Sequence, residues 1–163
     1  MSNAAAAVVE ATPDFSVALF SVNHWMVIGA TVMLVGMAVG LHYEALERLN
    51  ARLPLWGLRA RPRVLMLIIS LLFIHTAEIW IFGGGIYLLV QHPGLGSVSG
   101  VPGVQLLDTV YLSAVTFTTV GYGDLAPHGP LRFLLGSEAL TGTVLVTWSA
   151  SFTFLEMQRF WRH

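Results

Sequence analysis

Cysteine is missing from all 163 residues, lysine is missing too, and charge of either sign is scarce. The first absence excludes disulfides, thiolate metal sites and cysteine nucleophiles. The second leaves eight arginines as the whole basic complement against nine acidic residues, so there is no basic patch to hold a nucleic acid. Charged residues make up 10% of the chain and hydrophobic ones 55%, whereas an average soluble domain carries about 25% charge. That balance is wrong for a water-soluble fold and implies a chain embedded in a lipid bilayer.

The N-terminus lacks a positive region ahead of a short apolar core, so it does not read as a secretory signal. Residues 1–22 are expected to form a flexible extracytoplasmic leader. Three apolar segments follow. His24 to Tyr43 carries no formal charge, Val64 to Val90 carries Glu78 alone, and Phe133 to Leu155 carries Glu138 alone. About 20 helical residues cross a hydrocarbon layer about 30 Å thick, so each is long enough to span. The spacing places helices at 23–49, 64–90 and 131–160, in an all-α membrane protein.

Arg48, Arg52, Arg59, Arg61 and Arg63 crowd the link between the first two segments, including a short loop at 50–63. Short arginine-rich loops stay on the cytoplasmic side. Three spans then put the N-terminus outside and the C-terminus, with Arg159 and Arg162, inside. Trp25 falls at the outer interface and Trp56 and Trp161 at the inner one, where amphipathic rings gather.

The connection between the second and third segments has two parts. Residues 91–103, QHPGLGSVSGVPG, are a turn region rich in glycine and proline. The stretch LLDTVYLSAVTF reads as a helix over 107–118, with Asp108 able to cap its start, and it is too short to span. An apolar helix that enters and must return is re-entrant, and irregular backbone at that depth survives only where protein buries it or it lines a water-filled cavity. The stretch TTVGYGD, Thr118 to Asp124, follows it. Glycines on both sides of a tyrosine open backbone conformations closed to residues with a β-carbon, so successive carbonyls can turn to one side. Such carbonyls with the Thr119 hydroxyl are hard, uncharged acceptors that suit a dehydrated alkali cation. The Val120 and Tyr122 side chains are expected to point away and wedge the strand against its surroundings. One strand cannot enclose an ion, so several chains must contribute.

Thr119-Val120-Gly121-Tyr122-Gly123 resembles the potassium-channel signature, the sequence of carbonyl-lined selectivity filters. The resemblance covers about residues 64–162, in the order outer helix 64–90, turret 91–106, pore helix 107–118, filter 119–123 and inner helix 131–160. It is similar to the pore-only bacterial potassium channels, with an added N-terminal transmembrane helix at 23–49. The resemblance implies a potassium-selective channel subunit in the cell membrane that assembles as a homotetramer, with K+ as permeant ligand and no other cofactor. It implies K+ sites at the carbonyls of Thr119, Val120, Gly121 and Tyr122, and an outer mouth at Gly123 and Asp124. The pore helix, Asp108 to Thr118, would aim its negative C-terminal end at the central cavity.

Departures from the family pattern bear on gating. Some bacterial channels carry a pore-helix glutamate coupled to the aspartate matching Asp124, and Val115 stands at that position here. Gly142 occupies the place of an inner-helix hinge glycine, at the usual distance from Arg132, and close helix packing is the competing reading. Helical spacing from Gly142 lines up Thr143, Val146, Thr147, Ala150 and Phe154 as a cavity and gate stripe, with ordinary packing as the alternative.

Buried acids in a span need a partner or water. His75 lies one turn before Glu78, and Glu138 can reach comparable depth, which suggests a polar cluster behind the pore helix. It reads either as a pH-sensitive brace on the filter or as structural hydrogen bonding. Gly36 and Gly40 have the spacing of close helix contact and are expected to face the second helix. The first helix has no arginine ladder and is therefore not a voltage sensor.

Gating falls to the third helix, the filter or a separate regulatory subunit. Two rival classes stand beside a channel. One is a non-conducting ion-sensing or assembly subunit that keeps the filter for binding. The other is an intramembrane enzyme built on His75 and Glu78, which no nucleophile motif accompanies.

Overall fold

The computed structural model describes residues 21–57 and 59–161. Most of the expected leader and Arg162 lie outside the described residues, as do the side chains of Trp56 and Trp161. Among the described residues, three long helices and one short one carry the fold: α1 (Val22–Arg52), α2 (Ala60–Val90), α3 (Leu106–Phe117) and α4 (Leu131–Trp161). Two three-residue strands, β1 (Ser97–Ser99) and β2 (Ala126–His128), pair antiparallel with Val98 opposite Pro127.

Two stretches are long and apolar enough to cross a membrane, Val22–Leu55 with mean hydropathy 1.8 and Arg61–Val90 with 2.2. Helix α4 matches α1 and α2 at 31 residues. Its serines, threonines, glycines and Glu138 dilute its hydropathy, so it does not join those two on composition. At 1.5 Å per residue, α3 is about 18 Å long, well short of a bilayer core.

Local chemistry sets the ends of these helices. Arg52 is followed by a 3-10 turn, Leu53–Trp56, with Pro54 near its start and Gly57 closing it in the left-handed region at φ 61°. Pro62 sits in the first turn of α2, where its missing N–H removes no helical hydrogen bond. Helix α3 opens with a capping box whose N-cap is Gln105. Asp108, expected as the cap, is instead its third residue, and Asp108 Oδ2 accepts the Gln105 backbone N–H at 2.8 Å. This reciprocal pair satisfies two donors that a helix start leaves free.

Helix α3 packs between α2 and α4, and α1 lies against both long helices. Val27, Leu34 and Ala38 of α1 meet Phe82 and Ile86 of α2, Leu112, Val115 and Phe117 of α3, and Leu134 and Leu145 of α4 in one buried core. A second group, Leu46, Leu53, Leu67 and Leu71, closes the end near the arginine-rich loop. At that end Glu156 of α4 accepts hydrogen bonds from Arg159 and from Arg63 of α2, the latter at 3.4 Å.

The small-residue contact lies on the opposite partner from the one expected. Gly36 and Gly40 are exposed, and no atom comes within 4 Å of where their β-carbons would be. Close approach is made by α2, whose three consecutive glycines present two faces. A β-carbon at Gly83 would stand 2.7 Å from Val110 Cα on α3, and one at Gly85 would stand 2.9 Å from Leu34 Cδ2 on α1. The bulk of Leu34 in α1 fills the space that glycine leaves in α2.

Candidate ion-conduction site

The site is built on the end of α3. Thr118 follows the helix in αR conformation, and its N–H and hydroxyl both donate to the Ala114 carbonyl, at 3.1 and 2.7 Å. The chain then changes hand. Thr119, Gly121 and Gly123 have φ of 59°, 53° and 81°, so every second residue of 119–123 is in the left-handed half of dihedral space. Thr119 is the one non-glycine residue with positive φ among the described residues, a conformation that costs a β-branched side chain energy and marks local constraint. The sign of φ thus alternates along the loop, and right–left alternation of backbone dihedrals is the pattern by which successive N–H groups gather on one side of a chain.

Two hydrogen bonds identify the N–H edge. Gly121 N–H donates to the Val115 carbonyl at 3.0 Å, and Thr119 N–H donates to the Thr116 carbonyl at 2.9 Å. The donors face α3, and Val115 serves through its backbone while its side chain is buried. The Thr119 hydroxyl donates to the Thr118 carbonyl at 2.7 Å, which leaves its oxygen lone pairs available. Beyond Gly123, Asp124 Oδ2 accepts the Tyr111 hydroxyl hydrogen at 2.9 Å, tying the far end of the loop back to α3.

Val120 and Tyr122 are 54% and 73% exposed in the single chain. The wedge expected of them is not completed by the described residues of one protomer, which leave both side chains more than half exposed.

Below the loop, Thr143, Val146 and Thr147 of α4 join Phe117, Thr118 and Thr119 around a cavity of about 210 Å³. Ala150 and Phe154 continue the same face of α4, are exposed, and lie beyond that lining. Gly142 is buried against the end of α3. A β-carbon there would overlap the Phe117 carbonyl oxygen and stand 2.9 Å from its carbonyl carbon. The geometry is that of the close-packing reading of Gly142.

The buried acids separate into two groups. Glu138 of α4 is met by Ser113 of α3, whose hydroxyl also lies 2.9 Å from the Ile79 carbonyl of α2. Glu138 Oε2 has no hydrogen-bond partner among the described residues. Glu78 belongs to a different group, so the single cluster of His75, Glu78 and Glu138 is corrected to two. Glu78 Oε2 lies 2.8 Å from His75 Nδ1, and Glu78 Oε1 lies 2.8 Å from His42 Nδ1 on α1. Ser149 of α4 completes the group, with its hydroxyl 3.0 Å from His75 Nε2 and 3.5 Å from His42 Nε2. The sequence reading missed His42 and Ser149. A titratable side chain inside an apolar run was the available signal for His42, and the direction it faces only emerges when three helices are packed.

Three comparisons with known proteins bear on this geometry. The chain is 36% identical over 67 residues to "Protein LctB" of Geobacillus stearothermophilus, covering 37% of this chain and 50% of that protein. It is 45% identical over 40 residues to "Protein LctB" of Bacillus caldotenax, covering 24% of this chain and 30% of that protein. The chain thus spans half or less of the length of these curated relatives. No solved structure gives a significant match. A family model described as "Ion channel" matches residues 64–159, from the start of the expected outer helix through nearly all of α4. That match covers more than half of the 163 residues and includes every element of the pore loop, and the chain therefore belongs to this ion channel family.

Proposed function

We propose that the chain is a potassium-selective channel subunit that conducts passively as a homotetramer. In this reading α1, α2 and α4 all span the bilayer, with the N-terminus outside and the arginine-rich loop and C-terminus in the cytoplasm. The observation that carries it is the alternating backbone of 119–123, whose N–H edge is held by α3 through Gly121 and Thr119. A carbonyl edge then remains for an ion, and hard neutral oxygens in a row can replace the hydration shell of K+. Potassium rather than sodium is the inferred ion because the loop carries Tyr122 between its two glycines, as the filters it resembles do.

Two features support assembly. One loop supplies one wall of a pore, and four walls close it. Val120 and Tyr122 stand uncovered in the single chain, where neighbouring subunits would pack against them and set the spacing of the strands. Thr143, Val146 and Thr147 would line the water-filled cavity beneath the filter. The C-terminal end of α3 points its partial negative charge there, offsetting part of the cost of a cation at mid-membrane.

The test is flux in liposomes containing the purified full chain, with K+ against Na+, for the natural sequence and for Gly121→Ala. The reading expects K+ flux well above Na+ flux, and loss of that flux in the variant, because φ of 53° is strained for alanine. Absence of K+ flux from folded, reconstituted protein supports the non-conducting alternative. Unchanged flux in Gly121→Ala refutes the assignment of the filter.

A further inference from the structure

Three helices bring two imidazoles, a carboxylate and a hydroxyl to one point. His42 of α1 and Glu78 of α2 are fully buried, Ser149 of α4 is buried, and His75 of α2 retains 15% side-chain exposure. One ring nitrogen from each histidine and a Glu78 oxygen all lie within 4.8 Å of one another. The four groups form a closed ring of polar contacts: His42 to Glu78, Glu78 to His75, His75 to Ser149, and Ser149 to His42. Two imidazole nitrogens and a carboxylate oxygen thus converge from two helices, a donor set that can hold a metal ion.

We infer that His42, His75 and Glu78 form a binding site for a first-row transition metal ion held at the Nδ1 side of both rings, with Zn2+ the best fit, that a water fills the fourth position, and that Ser149 braces the rings from their Nε2 side. Two imidazole nitrogens and one carboxylate oxygen are the three-ligand set used by open tetrahedral zinc sites. Imidazole ligands favour zinc, copper, iron or nickel, and disfavour calcium or magnesium, which take oxygen ligands.

The geometry is close to what such an ion needs. Zinc bonds of about 2.0–2.1 Å at tetrahedral angles set ligand atoms about 3.4 Å apart. The two His–Glu separations are 2.8 Å, so rotations that open each by roughly half an ångström admit the ion. The rings already stack, with centroids 5.4 Å apart. Each ring that binds through Nδ1 keeps its proton on Nε2, where the Ser149 oxygen lies to accept it, and loss of one proton from a metal-bound water would leave Zn2+, the carboxylate and the hydroxide neutral together.

The consequence is mechanical. The ligands come from α1 and α2, and Ser149 of α4, one turn below the cavity residues Val146 and Thr147, contacts the Nε2 of both ligand rings. Occupancy would fasten the N-terminal helix to the pore module and restrain the face of α4 that carries Ala150 and Phe154. This gives α1 a role that a two-helix pore lacks. The inference concerns binding and does not rest on conduction.

The test uses purified full chain in detergent, stripped of metal and titrated with Zn2+ and separately with Co2+, whose visible absorption reports tetrahedral coordination. One ion per chain is expected, with an intense Co2+ spectrum that Zn2+ abolishes by displacement. His42→Gln and Glu78→Gln should each weaken binding at least about 100-fold, since even groups that only support a ligand are worth 10- to 100-fold. His92→Gln, on the loop after α2, should bind as the natural chain does. The natural chain giving no tetrahedral Co2+ spectrum overturns the inference whatever the variants do, and that is the outcome if a proton alone completes the ring. Binding that survives in folded His42→Gln or Glu78→Gln overturns it as well.

Discussion

Gly142→Ala puts the packing of the inner helix against the pore helix to a quantitative test. A β-carbon at this position would overlap the Phe117 carbonyl oxygen and lie 2.9 Å from both the carbonyl carbon and Cγ of Phe117. The obstacle is mostly backbone, so it cannot be relieved by a rotamer change, and α4 or the end of α3 must move. Overpacking of this kind costs about 1–3 kcal/mol. Against it stands the gain of about 0.5–1 kcal/mol from replacing glycine by alanine within a helix. Gly136 in the same helix isolates the two terms, because no atom lies within 4 Å of its β-carbon position. Gly136→Ala should therefore keep the gain alone.

The difference between the two variants is the overlap itself, about 1–3 kcal/mol. At about 2–4 °C per kcal/mol for a chain of this size, Gly142→Ala should melt about 2–12 °C below Gly136→Ala. Thermal unfolding in one detergent, followed by circular dichroism, measures it. Phe117 immediately precedes Thr118 and Thr119, so under the proposed function the same displacement should alter K+ flux, whereas Gly136→Ala should not. Equal melting temperatures would refute the packing argument. Equal melting with reduced opening would favour the hinge reading of Gly142 instead.

Ser113→Ala removes the one hydrogen-bond partner of the Glu138 carboxyl and a second link to the Ile79 carbonyl. It should destabilise by about 1–3 kcal/mol, the cost of stranding a buried polar group, and a Ser113→Ala, Glu138→Leu double variant should recover part of that loss in thermal unfolding. Additive losses would show that the two side chains do not interact. Tyr111→Phe keeps the ring and deletes the 2.9 Å bond to Asp124. Val115 stands where some bacterial potassium channels carry a pore-helix glutamate, and the Tyr111–Asp124 bond ties α3 to the outer end of the loop, so under the proposed function sustained K+ currents should decay faster in the variant than in the natural chain. Identical decay in single-channel or macroscopic recordings would remove Tyr111 from the support of the loop.

The composition and spacing of the chain carried most of what can be said of its class. Scarce charge, apolar runs and the arginine-rich loop are bulk properties set by partition between lipid and water, and partition depends on residue type rather than on partners. The repeat of glycine at 121 and 123 is likewise local, because positive φ is a demand of the backbone at those residues. That Thr119 joins them at φ 59° could not be read, since threonine does not ordinarily accept that conformation, and it is held there with its own N–H and those of Thr118 and Gly121 bonded to α3.

What needed the tertiary structure were the pairings between helices. Gly36 and Gly40 had the spacing for close contact, yet the contact uses Gly83 and Gly85, because a glycine packs closely only when a partner's bulk arrives at its face, and Val110 and Leu34 arrive there. Glu78 and Glu138 looked like neighbours by depth along their helices. Rotation about the helix axes sends one to His42 and His75 and the other to Ser113. Sequence spacing specifies which residues share a face of one helix, through a period of 3.6 residues. Which faces then meet is decided by steric fit among all the helices at once, and so the histidine cluster, unlike the pore loop, existed only after folding.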